Sequence, residues 1–261
     1  MTILPTIFVS HGSPTLLKEA LPAHHFLRGL GRKLPRPEAI LCVSAHWEAA
    51  AAMVNLPANP ITLYDFYGFP SEFYQVTYPA PGSPALAQRV AKLLMKAGFD
   101  ATTHPERGLD HGAWVPLKLM FPQADISVIQ LSVQSRLSAA YHLELGRALQ
   151  PLRQEGVLIM GSGGATHNLL AFHGQLLGSP VKDYVRAFDD WLCESITLGK
   201  SEQLVDYLNQ APYAQRNHPS PEHYLPLLVP LGAAGEEACG RKIHSEINYG
   251  IFSMASYLWE G

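Results

Sequence analysis

The chain has 261 residues, 47% of them hydrophobic and 16% charged, with a formal net charge of -3. That balance supports a buried core and excludes a disordered chain, and without a basic run or stripe it excludes a surface built to follow a nucleic-acid backbone. The three cysteines, Cys42, Cys193 and Cys239, have no CxxC spacing, so neither a disulfide framework nor a thiolate zinc site is expected, and a reducing cytoplasm fits.

No apolar run approaches the ~20 residues that span a bilayer, so no membrane partner is expected. Short apolar, β-branched runs bounded by turn residues predict buried strands over 3–9, 39–44, 52–56, 126–133 and 157–160. Between them, the segment 83–99 reads as a helix that opens with Ser83 as N-cap and Pro84 at its first position, and closes at Gly98. A second helix is predicted over 138–156 with a break near Pro151, and further ones within 180–198, 201–209 and 222–231. The C-terminal stretch 242–259 reads as two strands about a turn at 248–250. Strands alternating with amphipathic helices, and no internal repeat or polar linker, predict one α/β domain over 1–261, with a central mixed, partly parallel sheet flanked by helices. Nothing in the sequence sets an oligomeric state.

Among twelve histidines, three follow apolar strands: His11 after "TIFVS", His46 after "ILCVSA" and His167 after "VLIMGSGG". In an open α/β sheet ligands bind beyond the carboxyl ends of the strands, and neutral imidazole is the commonest ligand for a divalent transition metal. Gly12, Gly161, Gly163 and Gly164 suit close backbone approach. The bland reading of each histidine alone is a cap or a core residue with one backbone partner. "GSGGATHN" lacks both GxGxxG and GK[ST], so a nucleotide site is not expected. His111, before an apolar helix, reads as a cap or a proton carrier, with the cap preferred. His223 lies beside Glu222 and after Pro221, in what reads as the first turn of a helix.

Taken in order, "HGSP" (11–14), "SAHW" (44–47), "YDFYGFP" (64–70), "YPAPGSPALA" (78–87), "DHGAWVPL" (110–117), "THNL" (166–169) and "PEHYLPLL" (221–228) resemble the class III extradiol ring-cleavage dioxygenases, LigB-like proteins, in their 4,5-DOPA dioxygenase branch. Each motif is weak alone; the ordered set spans nearly the whole chain. The resemblance implies a mixed α/β core and one non-haem divalent metal held by His11, His46 and His223. It places His167 beside the metal as acid/base or a further ligand, and His111 near substrate and oxygen. The metal would be iron(II) for turnover or zinc as isolated, since three histidines also suit zinc and the better studied relatives use two histidines and a carboxylate. Glu222 is a possible substitute for that carboxylate. The implied reaction opens a catechol ring beside its diol with O2, giving a muconic semialdehyde-type product, with His167 taking a catechol proton and a charged His111 stabilising anionic oxygens.

The aromatic stretch Tyr64, Asp65, Phe66, Tyr67 and Phe69 reads as core or subunit contact in preference to a substrate wall. Two rival functions fit the same histidines: a zinc-dependent hydrolase, with Glu222 or His167 as base, and a metal-binding signalling protein of the Memo type, in which the cleft recognises a partner.

Overall fold

Alternate residues along the apolar strands pass to opposite sides of one sheet. The computed structural model describes residues 3–236 and 238–260. Strands β1 (Thr6–Ser10), β2 (Ala39–Glu48), β3 (Ala52–Asn55), β4 (Ala101–His104), β5 (Ser127–Val133), β6 (Val157–Gly163), β7 (Arg241–His244), β8 (Ile247–Asn248), β9 (Phe252–Ser253) and β10 (Ser256–Trp259) are defined. Eight of them form one sheet in the order β4-β3-β5-β2-β6-β1-β10-β7, and β8 pairs with β9 as a separate hairpin. The central strands β5, β2, β6 and β1 are mutually parallel, whereas β10 joins β1, β7 joins β10 and β5 joins β3 antiparallel. The mixed sheet therefore delivers the carboxyl ends of β1, β2 and β6 side by side.

Helices α1 (Pro22–Lys33), α2 (Pro84–Lys96), α3 (His111–Met120), α4 (Ala139–Leu149) and α5 (Asp183–Thr197) cover both faces. On one face Ile7, Val9, Ile40, Cys42 and Met160 pack with Leu27 and Leu30 of α1 and Trp114 and Leu117 of α3. On the other, Leu41, Val43, Ile129 and Ile159 pack with Val90 and Leu94 of α2 and Leu145 and Leu149 of α4. Phe8, Tyr257 and Trp259 meet Phe188 and Leu192 of α5 in a third cluster. A central parallel strand buried on both faces needs a continuous apolar run, the pattern seen at 7–9, 39–43 and 157–160. Each fully buried Leu, Ile, Val or Phe side chain contributes roughly 1.5–3 kcal/mol, so these layers dominate the folding energy.

The helix over 84–96 starts as expected: Ser83 Oγ accepts from the Leu86 N–H and Pro84 occupies the first position. The helix expected over 138–156 stops at Leu149, and Pro151 sits in the 3-10 turn Gln150–Arg153 that follows. The strand expected to end at 44 runs on to Glu48, so His46 lies within β2 and not beyond it. The stretch 242–259 makes four short strands instead of two, with the turn near 248–250 linking β8 to β9.

The helix expected over 222–231 starts late. Residues 221–224 make a turn, Leu225–Leu227 a 3-10 turn and Leu228–Ala234 the helix, because Pro226 has no N–H for a regular α-helical bond there. No helix among the described residues is long and apolar enough to cross a membrane.

Candidate metal centre and active site

His11 is the residue after β1, and its N–H still donates to Gly163 O at 3.1 Å, extending the β1–β6 pairing by one step. Gly12 follows at φ +64°, a left-handed conformation that turns the chain away at once; this is why a glycine follows the histidine. His46 is aimed by an irregularity in β2. Between the pairs Val43–Leu131 and Glu48–Val133, β2 advances five residues and β5 two, and the surplus takes Ala45–Trp47 out of that ladder. His223 arrives on the turn after Pro221, held against β6 by the Gly164 N–H, which donates to His223 O at 3.0 Å. Both glycines of that strand end are required for the approach. A Cβ on Gly163 would fall 2.2 Å from His223 O, and one on Gly161 2.1 Å from Pro226 O.

The three rings converge: centroids lie 4.9 Å apart for His11 and His46, 5.4 Å for His11 and His223, and 4.9 Å for His46 and His223. One nitrogen from each lies within 4.8 Å of the others. Hydrogen bonds fix the nitrogens of His11 and His223. Ser162 Oγ donates to Gly112 O and so accepts from His11 Nδ1–H at 3.0 Å, leaving His11 Nε2 with its lone pair. Glu222 Oε1 accepts from His223 Nδ1–H at 3.0 Å, leaving His223 Nε2 buried and without a hydrogen-bond partner. Glu222 therefore buttresses His223 from behind its ring, the carboxylate–histidine arrangement common around metals, rather than replacing it. His46 Nε2 faces His11 Nε2 at 3.0 Å.

Burial keeps these imidazoles neutral. It is the largest cause that lowers His11 and His223 well below the usual histidine range, and each also feels the other imidazoles. His46 is pushed down to about 3, by burial first and then by His111, against the opposing pull of Asp65. Neutral imidazoles with inward lone pairs are what a cation requires.

His167 lies outside that set of three. Its nitrogen groups with Glu222 and His223, and its ring stacks on His223 at 3.4 Å and 8°. Burial lowers it to about 4, with Glu222 opposing. His111 is not the cap of α3: Asp110 Oδ1 accepts from the Ala113 N–H and fills that role, while His111 is the first helical residue. The His111 ring lies 3.9 Å from that of His46, and both its backbone N–H and its Nδ1–H donate to Asp65, at 2.9 Å each. Burial raises the Asp65 carboxyl, but its hydrogen bonds from His111 and the charges of His111 and His46 outweigh that and hold it below its ordinary value.

Asp65 is the residue that sequence reasoning set aside. The aromatics around it read as packing, and nothing in the local pattern says that a carboxylate at 65 meets an imidazole at 111. Asp110, fully buried, accepts from Ser44 Oγ (2.6 Å), Gln130 Nε2 (2.9 Å) and Arg107 Nη2 (3.0 Å), tying β2, β5 and α3 together beneath the histidines. The histidines open into a cavity of about 430 Å³ whose walls include Phe66, Phe69, Phe172 and Phe252, so two members of the 64–69 stretch do wall the pocket.

Residues 5–258 match the family described as the catalytic LigB subunit of aromatic ring-opening dioxygenase. The chain belongs to the LigB family. It is 46% identical over 98% of its length to a 4,5-DOPA dioxygenase extradiol of Beta vulgaris, covering 96% of that protein, and 43% identical over 98% to one of Escherichia coli K12, covering 94%. It is also similar to the crystal structure of an uncharacterized protein of Escherichia coli K12, with TM-score 0.80 and 37% identity over 98% of this chain and 99% of that one. The chain is thus a LigB-type extradiol dioxygenase, and LigB dioxygenases are metal-dependent. This LigB chain's own atoms fit a divalent ion. The buried His223 Nε2 has no protein partner, and His11 Nε2 and His46 Nε2 face each other, an arrangement that a shared cation satisfies.

Proposed function

We propose that the enzyme opens the ring of a DOPA-like catechol beside its hydroxyl groups with O2, with iron(II) held by His11, His46 and His223. The observation that carries this reading is the convergence of three neutral imidazoles, each with a nitrogen within 4.8 Å of the others, at the wall of an aromatic cavity. Iron(II) bound there would supply open coordination positions for both catechol oxygens and for O2, and zinc would fill the same set in protein as isolated.

The chain's own groups do the rest. The phenylalanine walls accept the flat ring and exclude water from it. His167, neutral because it is buried, accepts a catechol proton, and its stacking on His223 fixes the plane of the ring that receives it. Asp65 accepts the Nδ1–H of His111, and the charged form of that ring donates its Nε2–H to the oxygens that gain negative charge as the ring opens. The product is a muconic semialdehyde-type chain, which closes on its own amine when the substrate carries one. The reading also places the enzyme in the reducing cytoplasm, where iron stays divalent.

The test is anaerobic loading with iron(II), then O2 uptake and appearance of yellow product with a panel of catechols. Uptake matched to ring-opened product is expected. Absence of uptake, together with ester hydrolysis by the zinc form, would replace this reading with the hydrolase. A His167→Ala variant of intact metal content that cleaves at the parental rate would remove His167 from the proton transfer.

A further inference from the structure

The cavity extends past the imidazoles to groups that the ring-opening chemistry does not use. Of the charged residue types, its lining holds Glu19 and, among the described residues, no lysine or arginine. Glu19 follows the short turn Pro14–Leu17. Its neighbour Lys18 is occupied by Glu72 at 2.7 Å, whereas the Glu19 carboxylate has no ion pair or hydrogen bond among the described residues; the backbone N–H of Glu19 donates to Thr15 O. Tyr249 lies close enough to feel that carboxylate: burial first, and then the charge of Glu19, raise its phenol.

Tyr249 reaches this rim by an unusual backbone. It has φ +55° and Gly250 φ +69°, and the Ile251 N–H donates to Asn248 O at 3.1 Å, so 248–251 forms the tight turn of the β8–β9 hairpin. A left-handed conformation is costly for an aromatic residue, and here it sets the Tyr249 ring edge-on to Phe172 at 5.1 Å on the cavity wall. Asn248, 7% exposed, lines the same wall, and its carboxamide has no hydrogen bond among the described residues. An uncommitted carboxylate, a phenol and an uncommitted amide thus share one cavity, with no lysine or arginine among its described lining residues to attract an acid.

We infer that Glu19, Asn248 and Tyr249 form a subsite for the substrate's tail that selects catechols carrying an aliphatic ammonium group over catechols carrying a carboxylate. With the diol at the imidazoles, a tail on the far side of the ring extends away from them. Glu19 pairs with the ammonium, and the Asn248 and Tyr249 dipoles replace its lost water. This rests on the ring-opening reading for the orientation of the substrate.

The test compares dopamine, 4-methylcatechol and 3,4-dihydroxyphenylacetate, by kcat/KM with iron(II)-loaded protein and by anaerobic equilibrium binding. Wild-type protein ranks them amine, uncharged, carboxylate, with about fivefold between neighbours, the range of a partly exposed ion pair. Glu19→Gln lowers the amine-to-uncharged ratio about fivefold, and Glu19→Lys inverts the amine-to-carboxylate order. A wild-type preference for the carboxylate, or ratios that neither Glu19 variant moves, overturns the subsite. If none of the three rings opens while the binding order still follows tail charge and moves with Glu19, the subsite stands and the ring-opening reading falls.

Discussion

Replacing Gly163 by alanine tests whether backbone contact, rather than side-chain packing, places His223. The added Cβ would lie 2.2 Å from His223 O and 3.3 Å from Phe8 Cε2, where an ordinary contact is 3.4 Å or more, so the His223 peptide has to retreat by about 1 Å. It has no easy route. The same carbonyl accepts from the Gly164 N–H at 3.0 Å, and three residues on, Pro226 O rests on Gly161. A misplacement of about 1 Å at a reacting centre costs on the order of 100-fold in rate, and overpacking of this kind costs about 1–3 kcal/mol of stability. We expect Gly163→Ala to fold, to lose iron(II) affinity in a chelator competition, and to lose about two orders of magnitude in catechol-dependent O2 uptake. Gly29→Ala in α1, with nothing within 4 Å of the new Cβ, is the matched control and gains about 0.5–1 kcal/mol in a denaturant titration. Full metal affinity and rate in Gly163→Ala would refute the argument that this contact holds the ligand in place.

Three further outcomes follow from the same geometry. Glu222→Ala removes the acceptor that fixes His223 Nδ1–H, and metal affinity measured by chelator competition falls about 10- to 100-fold. Asp110→Ala leaves the Arg107 guanidinium and the Ser44 and Gln130 donors beneath the site without their shared partner, and destabilises by about 3–5 kcal/mol in urea unfolding. His142, buried between Ser138 O and the Gln134 N–H, is lowered to about 4 by burial, against the pull of Ser138 O. Its folded value lies below its unfolded value, so its stabilising contribution is complete above about pH 6.5 and is lost as pH falls toward 4, amounting to roughly 3 kcal/mol. In His142→Gln, unfolding free energies measured from pH 7 to 4 should fall less steeply by about that amount.

The parallel core was legible because strands buried on both faces must be largely apolar, and the runs ending at Val9, Val43 and Met160 are. The helix over 84–96 was legible because Ser83 and Pro84 carry its start. Strand β4, "ATTH", was not: four residues, half of them threonine, at the sheet's edge give too short a signal. Helix α1 was hidden too, since "PAHHFLRGLGRK" mixes two histidines and two glycines into a stripe of Ala23, Leu27 and Leu30. The histidines 11, 46 and 223 could be named from strand ends and family motifs, but the tautomers of His11 and His223 depend on Ser162 and Glu222, and the orientation of His111 depends on Asp65. Glu222 is adjacent to His223, but Ser162 lies 151 positions from His11 and Asp65 lies 46 from His111, and no local period encodes those meetings. The preference for His111 as a cap failed for a local reason: Asp110, one residue earlier, is the better acceptor for the first free N–H groups.

His11 and His223 lie 212 positions apart along the chain, and β1 is flanked in the sheet by β6 and β10. A chain emerging from the ribosome therefore exposes its first two imidazoles long before the third exists, as a weak two-point chelator. A third imidazole joins them only when the turn after Pro221 packs against the end of β6, so the three-ring set belongs to the tertiary fold and to no contiguous stretch of chain.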